Sequence, residues 1–271
     1  MNKKKVILIT VVLFLLSFVT VFPFYIMITM GTKTTEELFR GISLIPGTHL
    51  LENIKTIASG TFLRFYLNSL AVSLSAMGIG ALTSSMAGFA LSKYDFKYRK
   101  IIMNIIVFSM MIPGQISLIA YIMEMRTFGL LDTLWPLIIQ FSANAFGVYW
   151  MKQSMDGGIP DEVMESARID GASEPRIFFS IAMPFVKAPL VTILLLLFLW
   201  SWNNYLMPLI AINDPNMYTV PLGLAMLNGL HKTNYAAKIL ALSFGTIPLV
   251  VLFIAGSKYF INGLTAGAVK G

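Results

Sequence analysis

Residues 159–184 read IPDEVMESARIDGASEPRIFFSIAMP, the most polar stretch in the second half of the chain, with long apolar runs on both sides. Pro160 suits a helix's first turn, where its missing N–H is no loss. Asp161 and Glu162 follow, and carboxylates there complement the helix dipole. The pattern runs helical to Asp170, and Gly171 is placed to end it in a left-handed conformation. A second helix starts at once: Ser173 as N-cap, Glu174 and Pro175 in the first turn, then an apolar run broken at Pro184. Two short helices joined at one glycine make a knob, a shape for presentation to another protein.

Outward from this knob the chain is apolar. Of 271 residues, 56% are hydrophobic and 12% charged, a composition of membrane rather than soluble proteins. Six runs, 6–30, 65–91, 101–123, 133–151, 188–212 and 239–257, come near or above the roughly 20 residues a helix needs to cross a bilayer. The first follows Lys3, Lys4 and Lys5, but it is too long for a signal-peptide core and no small-residue cleavage site follows, so it reads as an anchor. Net charge is +7, yet the basic residues lie between apolar runs rather than on one face, which speaks for membrane topology and against nucleic acid. With the N-terminus inside, thirteen Lys and Arg fall on the inner side and seven on the outer. Both termini, and the knob between spans four and five, are therefore expected in the cytoplasm. The reading is an all-α polytopic protein of the cell membrane, with residues 1–64 as first span and outer loop, 65–260 as core and 261–271 as a cytoplasmic tail. Residues 32–64 and 213–235 face outward, either as passive connections or as a docking surface for an external partner.

Several activities are excluded by what the chain lacks. No Asp, Glu, Lys, Arg or His falls inside any of the six runs, although ion-coupled carriers need such groups at membrane depth. No phosphate-binding Gly-x-x-x-x-Gly-Lys-[Ser/Thr] loop is present, so the chain is not itself an ATPase. There is no cysteine, no His-Glu-x-x-His and no Gly-x-Ser-x-Gly, and His49 and His231 lie in outer loops; no catalytic residue and no metal site is expected.

Within the spans, Trp200, Asn203, Asn204 and Met207 are spaced to share one helical face, and Gln140, Asn144 and Gly147 to share another. Amides in hydrocarbon require partners. These faces are either a translocation pathway, since sugars are bound by aromatic rings and amides, or interhelical hydrogen bonds with Trp as filler. The small residues Ser69, Ser73, Gly80, Ser84 and Gly88 favour close helix packing over pore lining. Pro113 and Gly114 predict a kink in the third span, structural or part of a gate. Residues 92–100, SKYDFKYRK, read as an interfacial anchor.

The knob also carries a resemblance. Glu165, Ser166 and Ala167, then Gly171, then Ile181, Met183 and Pro184 match the spacing of the EAA loop of ABC-transporter permease subunits, with Ser for the second-position Ala and Met for Leu. The following Arg168-Ile-Asp-Gly-Ala-Ser is similar to the carbohydrate-uptake branch, and residues 258–271, KYFINGLTAGAVKG, resemble the ending of sugar permeases of the maltose-system type. What the resemblance implies is a permease subunit of a binding-protein-dependent importer for a sugar or oligosaccharide. Residues 159–171 would be the coupling helix in a cleft of a cytoplasmic ATPase dimer. Glu165 would be its anchoring acid, Val163, Met164 and Ala167 would supply apolar or small contacts, and Ser166, Arg168 and Asp170 would complete the surface. Gly267, Lys270 and Gly271 would contact the same ATPase. ATP and Mg would bind that partner, leaving no cofactor on this chain. A second, different permease subunit, an extracellular or periplasmic solute-binding protein and membrane lipid complete the implied partners. A same-type permease for another solute, such as a glycerol phosphoester, and a non-transport membrane protein stay open as alternatives.

Overall fold

Helices follow one another along the chain with breaks where proline, glycine or asparagine falls. In the computed structural model, residues 3–226 and 234–268 are described, with side chains described through residue 258. The order is α1 (Lys3–Met30), α2 (Thr35–Phe39), α3 (Leu50–Ser59), α4 (Phe62–Lys93), α5 (Arg99–Ser109), α6 (Gly114–Thr127), α7 (Trp135–Ile139) and α8 (Ala145–Gly158). Then come α9 (Asp161–Ile169), α10 (Glu174–Arg176), a π-helical turn (Ile177–Ala182), α11 (Met183–Phe185), α12 (Lys187–Trp202), α13 (Leu206–Ala211), α14 (Val220–Met226) and α15 (Tyr235–Ala268). No strand occurs among the described residues.

The chain divides into two compact units, residues 1–66 with 223–248 and residues 67–222 with 249–271. In the first, α2 begins with a capping box in which Thr34 and Glu37 satisfy each other's backbone N–H groups. Asn53, buried on α3, donates to the carbonyls of Gly31 and Lys33 at 2.9 and 2.8 Å and closes the chain leaving α1. In the second unit the small residues of α4 admit close neighbours. A Cβ on Gly80 would lie 2.6 Å from the Phe141 carbonyl oxygen, and one on Gly88 would lie 2.8 Å from the Lys152 nitrogen. The stripe is therefore packing surface, as expected from lipid-embedded helices that associate through close approach.

Among the described residues, three helices are long and apolar enough to cross a membrane: Lys3–Met30, Phe62–Lys93 and Tyr235–Lys258. Up to five crossings are reached if each of two sharply bent helix pairs counts as one. The kink predicted at Pro113 is a full break, with α5 and α6 bent by 103°. The 133–151 run is not one helix. Asn144 has extended backbone and its side chain accepts from the Gly147 N–H at 2.7 Å, so it starts α8 afresh. The Ser142 carbonyl left in the gap is taken by the Thr83 hydroxyl at 2.7 Å. The 188–212 run breaks likewise at Asn203 to Tyr205, between α12 and α13. The last helix continues to Ala268, so most of the tail expected from residue 261 extends α15.

Candidate functional site

The knob has the predicted geometry. Gly171 stands at φ +75°, the left-handed position expected of it. Its N–H donates to the Arg168 carbonyl and the Ala172 N–H to the Ala167 carbonyl, both at 3.0 Å, the paired bonds of a Schellman end. The second helix widens into a π-turn over Ile177–Ala182, and the break after it falls at Val186, two residues beyond Pro184, where the axis bends by 89° into α12.

Burial separates the two faces of α9. Met164 is 2% exposed and Ala167 is buried, packed in one cluster with Met151, Met155, Ile159 and Ile177. These two residues, expected to meet a partner, instead hold the helix to its own protein: apolar positions three apart share a face and seek the nearest core. Glu162, Glu165, Ser166, Asp170 and Ile169 point outward, with Val163 half-buried. Ile169 is 85% exposed, an apolar side chain that the sequence reading passed over. Among the described residues Glu165 has no ion pair or side-chain hydrogen bond, leaving its carboxylate available.

Two clamps fix the knob. The Lys93 ammonium, at the end of α4, donates to the Ile159 carbonyl at 2.7 Å and to Asp161 at 2.6 Å, although Lys93 itself is nearly buried. Across the glycine turn, Arg168 pairs with Glu174 at 2.9 Å, lies 5.5 Å over the Tyr94 ring, and Tyr94 donates to the same carboxylate. Arg168 therefore braces the turn from within the chain. The Lys93 hydrogen bond holds the Asp161 carboxyl below the usual range, and the Arg168 hydrogen bond followed by that of Tyr94 does the same for Glu174. For a depressed carboxyl the stabilisation is present above the unfolded pKa and lost as pH falls through the folded one, so both clamps stay closed at neutral pH. Residues 92–100 thus do more than anchor. Arg99 adds donations to the Leu91 and Ser92 carbonyls at 2.7 and 2.9 Å, closing the end of α4. Nothing local in SKYDFKYRK signals the clamps; the partners of Lys93 and Tyr94 lie more than sixty residues away.

The amide faces do not survive as drawn, because both helices end where the amides stand. Asn203 caps α12 and donates to the Leu199 carbonyl at 2.8 Å; Asn204 accepts from the Met207 N–H at 3.2 Å. Trp200, Asn203 and Asn204 thus share no continuous helix, and neither do Gln140 and Asn144. Trp200 meets Phe146 edge-on, with ring centroids 5.7 Å apart. Gln140 and Asn204 are nonetheless brought together: both line a cavity of about 720 Å³ with Gln115, Ser117, Tyr121 and Glu124. Trp200, Asn203 and Asn144 are not in its wall. Of the tail residues, Gly267 lies in α15, while Lys270 and Gly271 lie outside the described residues.

Residues 76–264 match the family model described as binding-protein-dependent transport system inner membrane component, and the chain belongs to that family. It is 35% identical over 269 residues to the arabinooligosaccharides transport system permease protein AraQ of Halalkalibacterium halodurans, covering 97% of this chain and 96% of that one. Identity to the lactose transport system permease protein LacG of Rhizobium radiobacter is 29%, over 96% of this chain and 94% of that one. The sn-glycerol-3-phosphate transport system permease protein UgpE of Escherichia coli K12 is 31% identical, over 91% of both chains. Among solved structures, a chain of a bacterial ABC transporter involved in the import of the acidic polysaccharide alginate shares the fold. Its TM-score is 0.80 at 20% identity, covering 96% of this chain and 99% of that one. The chain is a permease component of a binding-protein-dependent transport system.

Proposed function

We propose that this chain is one permease subunit of an ATP-driven importer for a sugar or oligosaccharide, crossing the cell membrane six times with both termini in the cytoplasm. Residues 65–260 form the permease core, 1–64 an added span and outer loop, and 261–271 a tail toward the ATPase. The broken pairs α5/α6, α7/α8 and α12/α13 each count as one crossing, and a second, different permease subunit, a solute-binding protein and an ATPase dimer complete the assembly. The relatives named for arabinooligosaccharides and lactose support the solute class. One observation carries the reading: the helix that turns Glu165 and Ile169 outward is seated by Met164 and Ala167 on the cluster that holds Met151 of α8 and Ile193 and Leu197 of α12. A push on α9 therefore moves the span helices as one body instead of being absorbed in a soft loop. Glu165 anchors the ATPase, Ser166, Asp170, Val163 and Ile169 complete the contact, and Gly267, Lys270 and Gly271 add to it. ATP and Mg²⁺ bind the ATPase; this chain binds no cofactor and makes no covalent bond.

Gln140 and Asn204 are the amides of the solute path, while Trp200, Asn203 and Asn144 shape the helix breaks beside it. The likeness to UgpE favours a second reading, a phosphoester. Against it, the one group in the cavity wall that is charged at neutral pH is Glu124, and a carboxylate repels a phosphate while leaving a neutral sugar unopposed. Proteoliposomes carrying the full transporter test both readings. ATP-dependent uptake of a neutral oligosaccharide, and none of glycerol 3-phosphate, is the expected result; the reverse selectivity contradicts it. Gln140→Ala combined with Asn204→Ala removes two hydrogen bonds of about 1 kcal/mol each and lowers uptake about 10- to 30-fold with assembly intact. A loss of assembly alone would make the amides packing groups.

A further inference from the structure

A second cavity, of about 660 Å³, opens where α4 ends, α5 begins and α8 passes, and its wall is basic. Lys97, Arg99, Lys100 and Lys152 line it against the single carboxylate of Asp95. Little inside the protein balances this charge. Lys152 pairs with Asp156, but Arg99 donates to neutral carbonyls, Lys97 lies 5.5 Å over the Tyr98 ring, and Lys100 has no ion pair among the described residues. Four cations around one concavity, three of them in no ion pair among the described residues, form a site for a phosphate-bearing anion.

The neighbourhood selects which anion. Met103 of α5 lies in the same wall, and Val107 and Met110, on the same helical face as Lys100 and Met103, are exposed. A headgroup phosphate in the cavity leaves its acyl chains beside this apolar surface, whereas a soluble phosphate makes no use of it. Basic pockets at the cytoplasmic ends of membrane helices bind anionic headgroups. We infer that this cavity is a binding site for an anionic phospholipid of the inner leaflet. The inference rests on the membrane placement proposed above for α5, and its site shares no wall residue with the knob or the solute cavity.

Native mass spectrometry of the intact transporter, released from detergent, tests it with Lys97→Gln combined with Lys100→Gln. Both side chains are exposed, so folding is spared. The unaltered complex is expected to retain phosphatidylglycerol over phosphatidylcholine, and the double variant to retain it on the order of ten-fold less. Millimolar inorganic phosphate should leave the lipid adduct in place. Equal retention of the two lipids, unchanged retention in the variant, or displacement by inorganic phosphate overturns the inference. The variant should still copurify with the ATPase; if it does not, the fault lies with the assembly reading rather than the lipid site.

Discussion

Gly171→Val is expected to uncouple ATP hydrolysis from uptake while the protein still inserts into the membrane. The glycine holds φ +75°, where a β-branched residue is an outlier, and nothing lies within 4 Å of the position its Cβ would take. The penalty is therefore one of backbone conformation alone, about 1–2 kcal/mol or more, a factor of roughly 5 to 30 in the population of the native turn. Relief by a switch to negative φ breaks the two 3.0 Å Schellman bonds and pulls Arg168 away from Glu174. The knob is then redirected without disturbing the spans. Gly171→Asn, which tolerates the left-handed region, should retain most of the coupling. Uptake and ATPase rate measured together in vesicles decide the matter: a valine variant that transports normally removes the turn from the mechanism.

The second large effect separates the two faces of α9. Met164→Ala empties a site that is 2% exposed and should destabilise the fold by about 2–5 kcal/mol, seen as a lower melting temperature of the purified protein. Ile169→Ala, about half a turn beyond the buried Ala167 face and almost fully exposed, should change stability by less than about 0.5 kcal/mol yet weaken retention of the ATPase. If instead Met164→Ala melts normally and loses the ATPase, the faces are assigned the wrong way round.

Much of this was readable from residues. The knob's start at Pro160, its end at Gly171 and its restart at Ser173 are local decisions of capping and turn chemistry, and each appears where the sequence places it. The mixed α9 was misread because Val163, Met164 and Ala167 look alike as apolar groups, and only the position of Met151, Met155 and Ile177 reveals which of them turn inward. The amide faces failed for a related reason. Spacing counts assume an unbroken helix, but Asn144 starts α8 and Asn203 ends α12, each bonding a nearby backbone group with its own side chain, so the runs they were placed on are broken there. The clamps by Lys93 and by Arg168 with Tyr94 are contacts between distant segments, which no local pattern encodes.

The central claim is that α9 is the element through which a separate ATPase moves this permease. Copurification of the detergent-solubilised complex from its native cells, the intact chain beside Glu165→Lys, tests it most directly. Glu165 is exposed and has no ion pair or side-chain hydrogen bond among the described residues, so charge reversal leaves the fold alone and acts on a partner. The account predicts that the intact chain brings down an ATPase and a second permease, and that the variant keeps the permease and loses the ATPase. Retention of the ATPase by the variant, or its absence from the intact complex under mild conditions, would contradict it.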